Sequence, residues 1–128
     1  MNRRQPCPCH SGQPYGRCCQ PIHRGGPRTP EQLMRSRFSA YALGKTRYIM
    51  ETTHAPRADT EAWRAEIKQF CAATRFEGLS IEKVEPGEPE AWVTFRAVLS
   101  QDGRDASFTE RSRFVLSDDW RYADGERL

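Results

Sequence analysis

Long apolar runs are missing from this chain of 128 residues: no stretch approaches the 18 or so needed to span a bilayer as a helix. The N-terminus, Met1-Asn2-Arg3-Arg4-Gln5-Pro6, is positively charged but has no apolar segment behind it, so no secretory signal is read and the cytoplasm is the expected compartment. There is no glycine-rich phosphate loop and no His-x-His pair, so no cofactor signature is present. The Cys-x-x-Cys spacing of redox thiols is absent despite five cysteines. Lysine is scarce, three residues against 17 arginines. Acids are wholly absent from residues 1–29, which hold Arg3, Arg4, Arg17, Arg24 and Arg28.

Four of the five cysteines crowd into thirteen residues: Cys7-Pro-Cys9, then Cys18-Cys19. Four soft thiolates this close in sequence suit the tetrahedral coordination of one zinc ion. Cross-pairs between the two doublets could also be disulfides, but these need an oxidising compartment and leave Cys71 without a partner. Cys-x-Cys sets two sulfurs on one tight turn, Ser11-Gly12 supplies the turn, and Pro14 can open a single helical turn that delivers Cys18 and Cys19. Adjacent helical residues point roughly 100° apart, so Cys18 and Cys19 can share one metal only at a fraying helix end. His23 and His10 are therefore alternates to Cys19 as the fourth ligand.

The segment from Cys7 to Cys19, C-P-C-H-S-G-Q-P-Y-G-R-C-C, resembles the SEC-C motif, the small zinc module at the carboxyl end of the SecA translocase motor. His10 departs from it; glycine is usual there. The resemblance implies metal binding. In SecA the module is basic and engages the export chaperone SecB, the ribosome and acidic lipid.

Residues 1–29 have too few apolar side chains for a core, beyond cysteine and the terminal Met1 only Tyr15 and Ile22 of any size, so metal is expected to supply their folding free energy. Residues 30–128 carry 15 basic and 17 acidic residues, so a basic knob sits on a slightly acidic body. Gly25-Gly26-Pro27 marks the linker, dividing the chain into a module of residues 1–26 and a domain of residues 27–128.

Thr29-Pro30-Glu31-Gln32 predicts a capped helix start. Met34, Phe38, Tyr41 and Ala42 lie on one helical face, and Gly44 ends the helix. A short helix follows through Tyr48-Ile49. A third starts near Thr60 with Trp63, Ile67, Phe70 and Cys71 on a buried stripe, which makes Cys71 a core residue. From Phe76 the period becomes two. Leu79 and Ile81 mark a first strand; Val93, Phe95, Ala97 and Leu99 a second, with Trp92 on its other face. Asp102-Gly103 forms a hairpin turn. Ala106, Phe108, Glu110, Ser112, Phe114 and Leu116 share one face of a third strand, and Trp120 and Tyr122 lie on a fourth. Three helices followed by a four-stranded antiparallel meander give an α+β layer fold.

Leu33 to Tyr41 (L-M-R-S-R-F-S-A-Y), Thr53-His54-Ala55-Pro56, Glu110 to Phe114 (E-R-S-R-F) and Trp120-x-Tyr122-x-Asp124-Gly125 together resemble the YchJ family of bacterial proteins. The resemblance covers nearly the whole chain. It implies a SEC-C module followed by a nuclear transport factor 2-like (cystatin-like) cone, a curved antiparallel sheet wrapped on helices with a mouth that can hold a ligand. Some relatives carry a second cysteine cluster after the Asp-Gly turn. This chain ends at Leu128, so one metal site is expected.

Two functions fit. The first is a zinc-binding adaptor whose basic module docks on an acidic partner, a protein surface or the ribosome. Sequence-specific DNA is not expected, since no base-reading recognition helix is evident, and cone domains of this kind can pair as homodimers through the sheet face, where Trp92 would serve. The second is a small isomerase- or hydratase-like enzyme in the cone, which needs an acid–base pair. The candidates are Glu110, with His54, Asp124 and Tyr41 near the mouth. The plainer readings are that His54 caps its loop, that Asp124-Gly125 is a turn, and that Glu110 pairs with Arg96, Arg111 or Arg113.

Overall fold

Thr29, Pro30 and Gln32 begin the central helix as their chemistry dictates. In the structure, a computed structural model describing residues 1–128, Thr29 Oγ1 accepts from the Gln32 N–H at 3.2 Å and Gln32 Oε1 from the Thr29 N–H at 2.9 Å. These reciprocal bonds satisfy two of the free donors at the start of α2 (Pro30–Leu43), and Gly44 ends it in the left-handed conformation at φ 71°. Before it, a single 3₁₀ turn (Tyr15–Arg17) leads into the short α1 (Cys19–His23). After it come α3 (Thr46–Glu51) and α4 (Thr60–Ala73).

The sheet then runs β1 (Arg75–Glu85), β2 (Glu90–Gln101), β3 (Arg104–Asp105), β4 (Phe108–Leu116) and β5 (Trp120–Arg127). Its order is β1-β2-β4-β5, all antiparallel, with the two-residue β3 paired to β2. The predicted third strand is thus split. Residues Ala106 and Ser107 leave the ladder, and the Ser107 hydroxyl replaces it by accepting from the Leu99 N–H at 3.0 Å. Irregular register in β1 and between Arg113 and Phe114 lets the sheet curve. No helix is long and apolar enough to cross a membrane.

Alternation along β2 places Ala91, Val93, Phe95, Ala97 and Leu99 inside. Val93, Phe95, Ala97 and Leu99, with Phe114 of β4, pack on Leu33, Met34 and Phe38 of α2, and this cluster is the core. Ala40, Ile49 and Ile67 join α2, α3 and α4 in a second cluster.

Two expectations need correction. The central helix is buried nearly all round rather than on one face: Ser36, Arg37 and Ser39 are as enclosed as Leu33 and Phe38. The cause is the N-terminal module, which covers the side that bears the serines. On α4 only Ile67 of the expected stripe is fully buried, while Trp63 and Cys71 are half-buried and Phe70 is 36% exposed. The reason is that α4 packs mainly on α2 and α3, leaving a cavity between its apolar face and the sheet.

Candidate metal centre and cone cavity

The N-terminal segment has almost no side-chain core, so its shape rests on turns. The Cys7 N–H bonds the Gln13 carbonyl at 2.9 Å and the His10 N–H bonds the Cys7 carbonyl at 3.1 Å. Both His10 (φ 60°) and Gly12 (φ 86°) sit in the left-handed region. That explains why glycine is usual at the position of His10, since a side chain there costs strain. Cys18 lies at the kink between the 3₁₀ turn and α1, with φ −127° and ψ −100°, outside both helices. This break, rather than a fraying end, lets adjacent Cys18 and Cys19 face one point.

The Sγ atoms of Cys7, Cys9, Cys18 and Cys19 all lie within 4.8 Å of one another. Cys9 to Cys18 is 3.5 Å and Cys18 to Cys19 is 4.0 Å. A tetrahedral ion with metal–sulfur bonds of ~2.3 Å needs sulfur–sulfur edges of about 3.8 Å, which these distances bracket. Cys7, Cys9 and Cys19 are buried, and Cys18 is half-buried with the Ser11 hydroxyl 3.1 Å from its sulfur. Thiols held this close cannot all ionise alike. Contacts from Cys19 and Cys7 push the Cys9 thiol far down, while contacts with Cys7 and Cys9, together with burial, push Cys19 far up. A cation able to take four thiolates removes that conflict and releases protons as it binds. The donor set is a metal-binding cysteine cluster.

Neither histidine alternate joins the cluster. His10 Nε2 lies 3.1 Å from the Phe76 carbonyl of β1. His23 Nε2 donates to the Ser36 carbonyl at 2.8 Å, so in the neutral ring Nδ1 accepts from the Tyr15 hydroxyl at 2.7 Å. Its ring also meets the edge of Tyr48. These two histidines tie the module to the cone. So do Leu43 and Leu79, which pack on the cysteines, and Arg35, whose guanidinium donates to the Cys9 carbonyl. Arg28, counted above in the basic stretch of residues 1–29, is engaged within the cone: it donates to the Trp120 carbonyl at 2.7 and 3.1 Å and pairs with Asp119. Arg3, Arg4, Arg17 and Arg24 are exposed and make no ion pair.

Between α2, α4 and the inner face of the sheet lies a cavity of about 440 Å³. Glu110 reaches into it from β4, and Tyr41 from α2. Glu110 is fully engaged: Ser112 Oγ donates to it at 2.6 Å, the Tyr122 hydroxyl at 3.2 Å and Arg127 at 3.3 Å. Its ion-pair partner is therefore Arg127, not Arg96, Arg111 or Arg113, because those three project from the sheet's other face. There Arg111 pairs with Glu85 over the Trp92 ring, and Arg113 pairs with Glu90 and Asp124. Asp124 is accordingly outside the cavity, its carboxyl held below the usual range by Arg113. His54 is also outside, exposed, with only its backbone N–H bonded to the Tyr122 carbonyl.

Sequence reasoning missed the strongest group in the cavity, Arg37. Its guanidinium is buried; Nη1 donates to the Ile49 carbonyl at 3.0 Å, Thr52 Oγ1 at 2.7 Å and Thr53 Oγ1 at 3.2 Å, and it lies 4.7 Å over the Tyr122 ring. Its spacing from Leu33, four residues earlier on the same helix, puts it on the inward face, but the sequence carries no signal of the Ile49, Thr52 and Thr53 acceptors that bury it.

The family model for the YchJ middle NTF2-like domain matches residues 29–125, and the SEC-C motif matches residues 3–21. The UPF0225 protein SG1365 of Sodalis glossinidius is 42% identical over 98% of this chain and 85% of its own length. The solution structure of RPA3114, a SEC-C motif containing protein from Rhodopseudomonas palustris, superposes with a TM-score of 0.83 at 30% identity, covering 97% of this chain and 99% of that one. The crystal structure of a SEC-C motif containing protein from Psychrobacter arcticus gives 0.79 at 29% identity, over 95% and 82%. On its cysteine knuckle, its cone and these matches, the chain belongs to the YchJ (UPF0225) family.

Proposed function

We propose that this protein is a cytoplasmic, zinc-stabilised interaction protein: one structural Zn²⁺ holds residues 1–26 in shape, that basic module docks on an acidic partner, and the cone of residues 27–128 holds a small ligand. The observation that carries it is the largely buried four-thiol cluster beside four exposed arginines, Arg3, Arg4, Arg17 and Arg24, that have no acid to pair with. Four thiolates favour zinc over harder cations, and four protein ligands leave no open position for a substrate. The arginines Arg3, Arg4, Arg17 and Arg24 suit an acidic protein surface or ribosomal RNA, where the attraction is ionic and salt-sensitive. Of the four acid–base candidates, Glu110 and Tyr41 line the cavity, while His54 and Asp124 do not; the Glu110 carboxylate is engaged by Ser112, Tyr122 and Arg127, which favours the binding reading.

The test has two arms. Metal analysis of the purified protein should give one zinc per chain, lost in a Cys7→Ser/Cys9→Ser variant and kept in Cys71→Ser. Co-sedimentation with purified ribosomes should be strong at low salt, weaken as salt rises, and weaken in Arg17→Glu/Arg24→Glu, which keeps its zinc. Zinc retained by the double-cysteine variant would refute the metal assignment. Ribosome binding indifferent to salt and to both charge reversals would refute docking through the module.

A further inference from the structure

A buried guanidinium with no carboxylate partner is costly, and Arg37 is one. It is 8% exposed, and no Asp or Glu oxygen lies within 4.0 Å of it. All three of its hydrogen bonds to the protein leave from Nη1, and all go to neutral oxygens. Nε and Nη2 have no protein acceptor, yet no side-chain nitrogen of the molecule is both sealed from solvent and unsatisfied. Both nitrogens are therefore reached by solvent, and the open space that Arg37 borders is the cavity it lines.

The other charges around that cavity are already matched. Glu110 takes Ser112, Tyr122 and Arg127, and Arg57 at the rim is paired with Asp59 and Glu66. That leaves Arg37 as the one uncompensated charge. The remaining wall is apolar and largely aromatic, including Phe38, Phe95, Phe108 and Trp63. A volume of about 440 Å³ lies at the small end of the range for small-molecule sites, roughly 300–1,000 Å³.

We propose that the cone cavity binds a compact apolar monocarboxylate, with its acid group on the free Nε and Nη2 edge of Arg37 and its body against the aromatic wall. This rests on the reading that the cone holds a ligand, and names that ligand's chemistry. The Nε/Nη2 edge of a guanidinium presents two parallel N–H donors, which match the two oxygens of one carboxylate. A single acid group is specified because the cavity offers a single unmatched cation. A second anionic group would meet Glu110. A larger polyanion such as a nucleotide phosphate would find neither the room nor the charge.

The probes are 2-naphthoate and its neutral isostere naphthalene-2-carboxamide, each titrated into the full-length zinc-loaded protein and followed by calorimetry and by the Arg37 Nε–Hε resonance in NMR. The acid should bind roughly 10- to 100-fold more tightly than the amide, the range expected of charge-assisted bonds, and should move the Arg37 resonance. Arg37→Gln should erase the preference while still binding the amide. The acid–amide comparison needs no variant, so a folding failure of Arg37→Gln leaves the decision intact. Equal affinity for acid and amide would overturn the carboxylate assignment and leave the cone as a neutral ligand site. No binding of either probe by natively folded protein would overturn the assignment and the ligand-holding reading together.

Discussion

Gly125 shows how one atom's absence positions a charge. Ser112 and Gly125 are partners across β4 and β5, and a Cβ built on Gly125 would run into the carboxylate of Glu110. The glycine is there for room, since its backbone is ordinary. Gly125→Ala should push Glu110 off its three donors and destabilise the protein by about 1–3 kcal/mol, the usual range for overpacking. If the clash is the cause, Glu110→Ala should relieve it, so the double variant should be less destabilised than the sum of the two singles. Denaturant melts of the four proteins read that coupling directly. Additive losses would mean that Gly125 matters for its backbone alone.

At the level of elements, α2 is the hinge of the architecture. Its start and stop were legible because Thr29, Pro30, Gln32 and Gly44 act locally, and its capping box is formed as read. The four-cysteine cluster was legible for the same reason, with all four cysteines within thirteen residues. Arg37 was not. Its burial depends on α3 and on the Thr52-Thr53 turn closing over it, and a sequence pattern holds no trace of that closure. The serines Ser36 and Ser39 were likewise silent, because they face a module docked from outside the helix. His23 reads in the sequence as a spare metal ligand; in the fold it is the strut between Tyr15 and α2.

That strut titrates. Burial lowers the His23 pKa below its ordinary value of 6.5. As pH falls through about 6.5 the unfolded chain takes up this proton, while the folded protein resists until lower pH. The unfolded state then binds more protons, so stability falls on acidification. Thermal melts from neutral pH down to about 5.5 should therefore lose stability faster in the wild type than in His23→Gln. Parallel curves would show that the strut does not titrate in this window.

At the scale of the whole molecule, the main core is built without the module: Leu33, Met34, Phe38, Val93, Phe95, Ala97, Leu99 and Phe114 all lie beyond residue 26. Yet the module covers Ser36, Ser39, Leu43 and Leu79, and His10 and Arg35 bond across the joint. Stripping the metal with a chelator should therefore unfold the module, keep a cooperative transition for the cone, and lower its midpoint by roughly 5–15 °C, the shift that a loss of one to two kcal/mol brings in a domain of this size. Calorimetry with and without chelator checks this. An unmoved midpoint would make the joint energetically idle, and complete loss of the transition would make the cone dependent on the metal.

The joint also sets an order in time. The ribosome releases the four thiols ahead of the cone, but the groups that seat them come late: His10 waits for Phe76, 66 residues on, and the cysteine cluster waits for Leu79. At roughly 5–20 residues per second, the first gap alone lasts some 3–13 s. For that interval the nascent chain carries a naked four-sulfur claw, open to whatever ion or oxidant reaches it, and the first segment made is the last to find its berth.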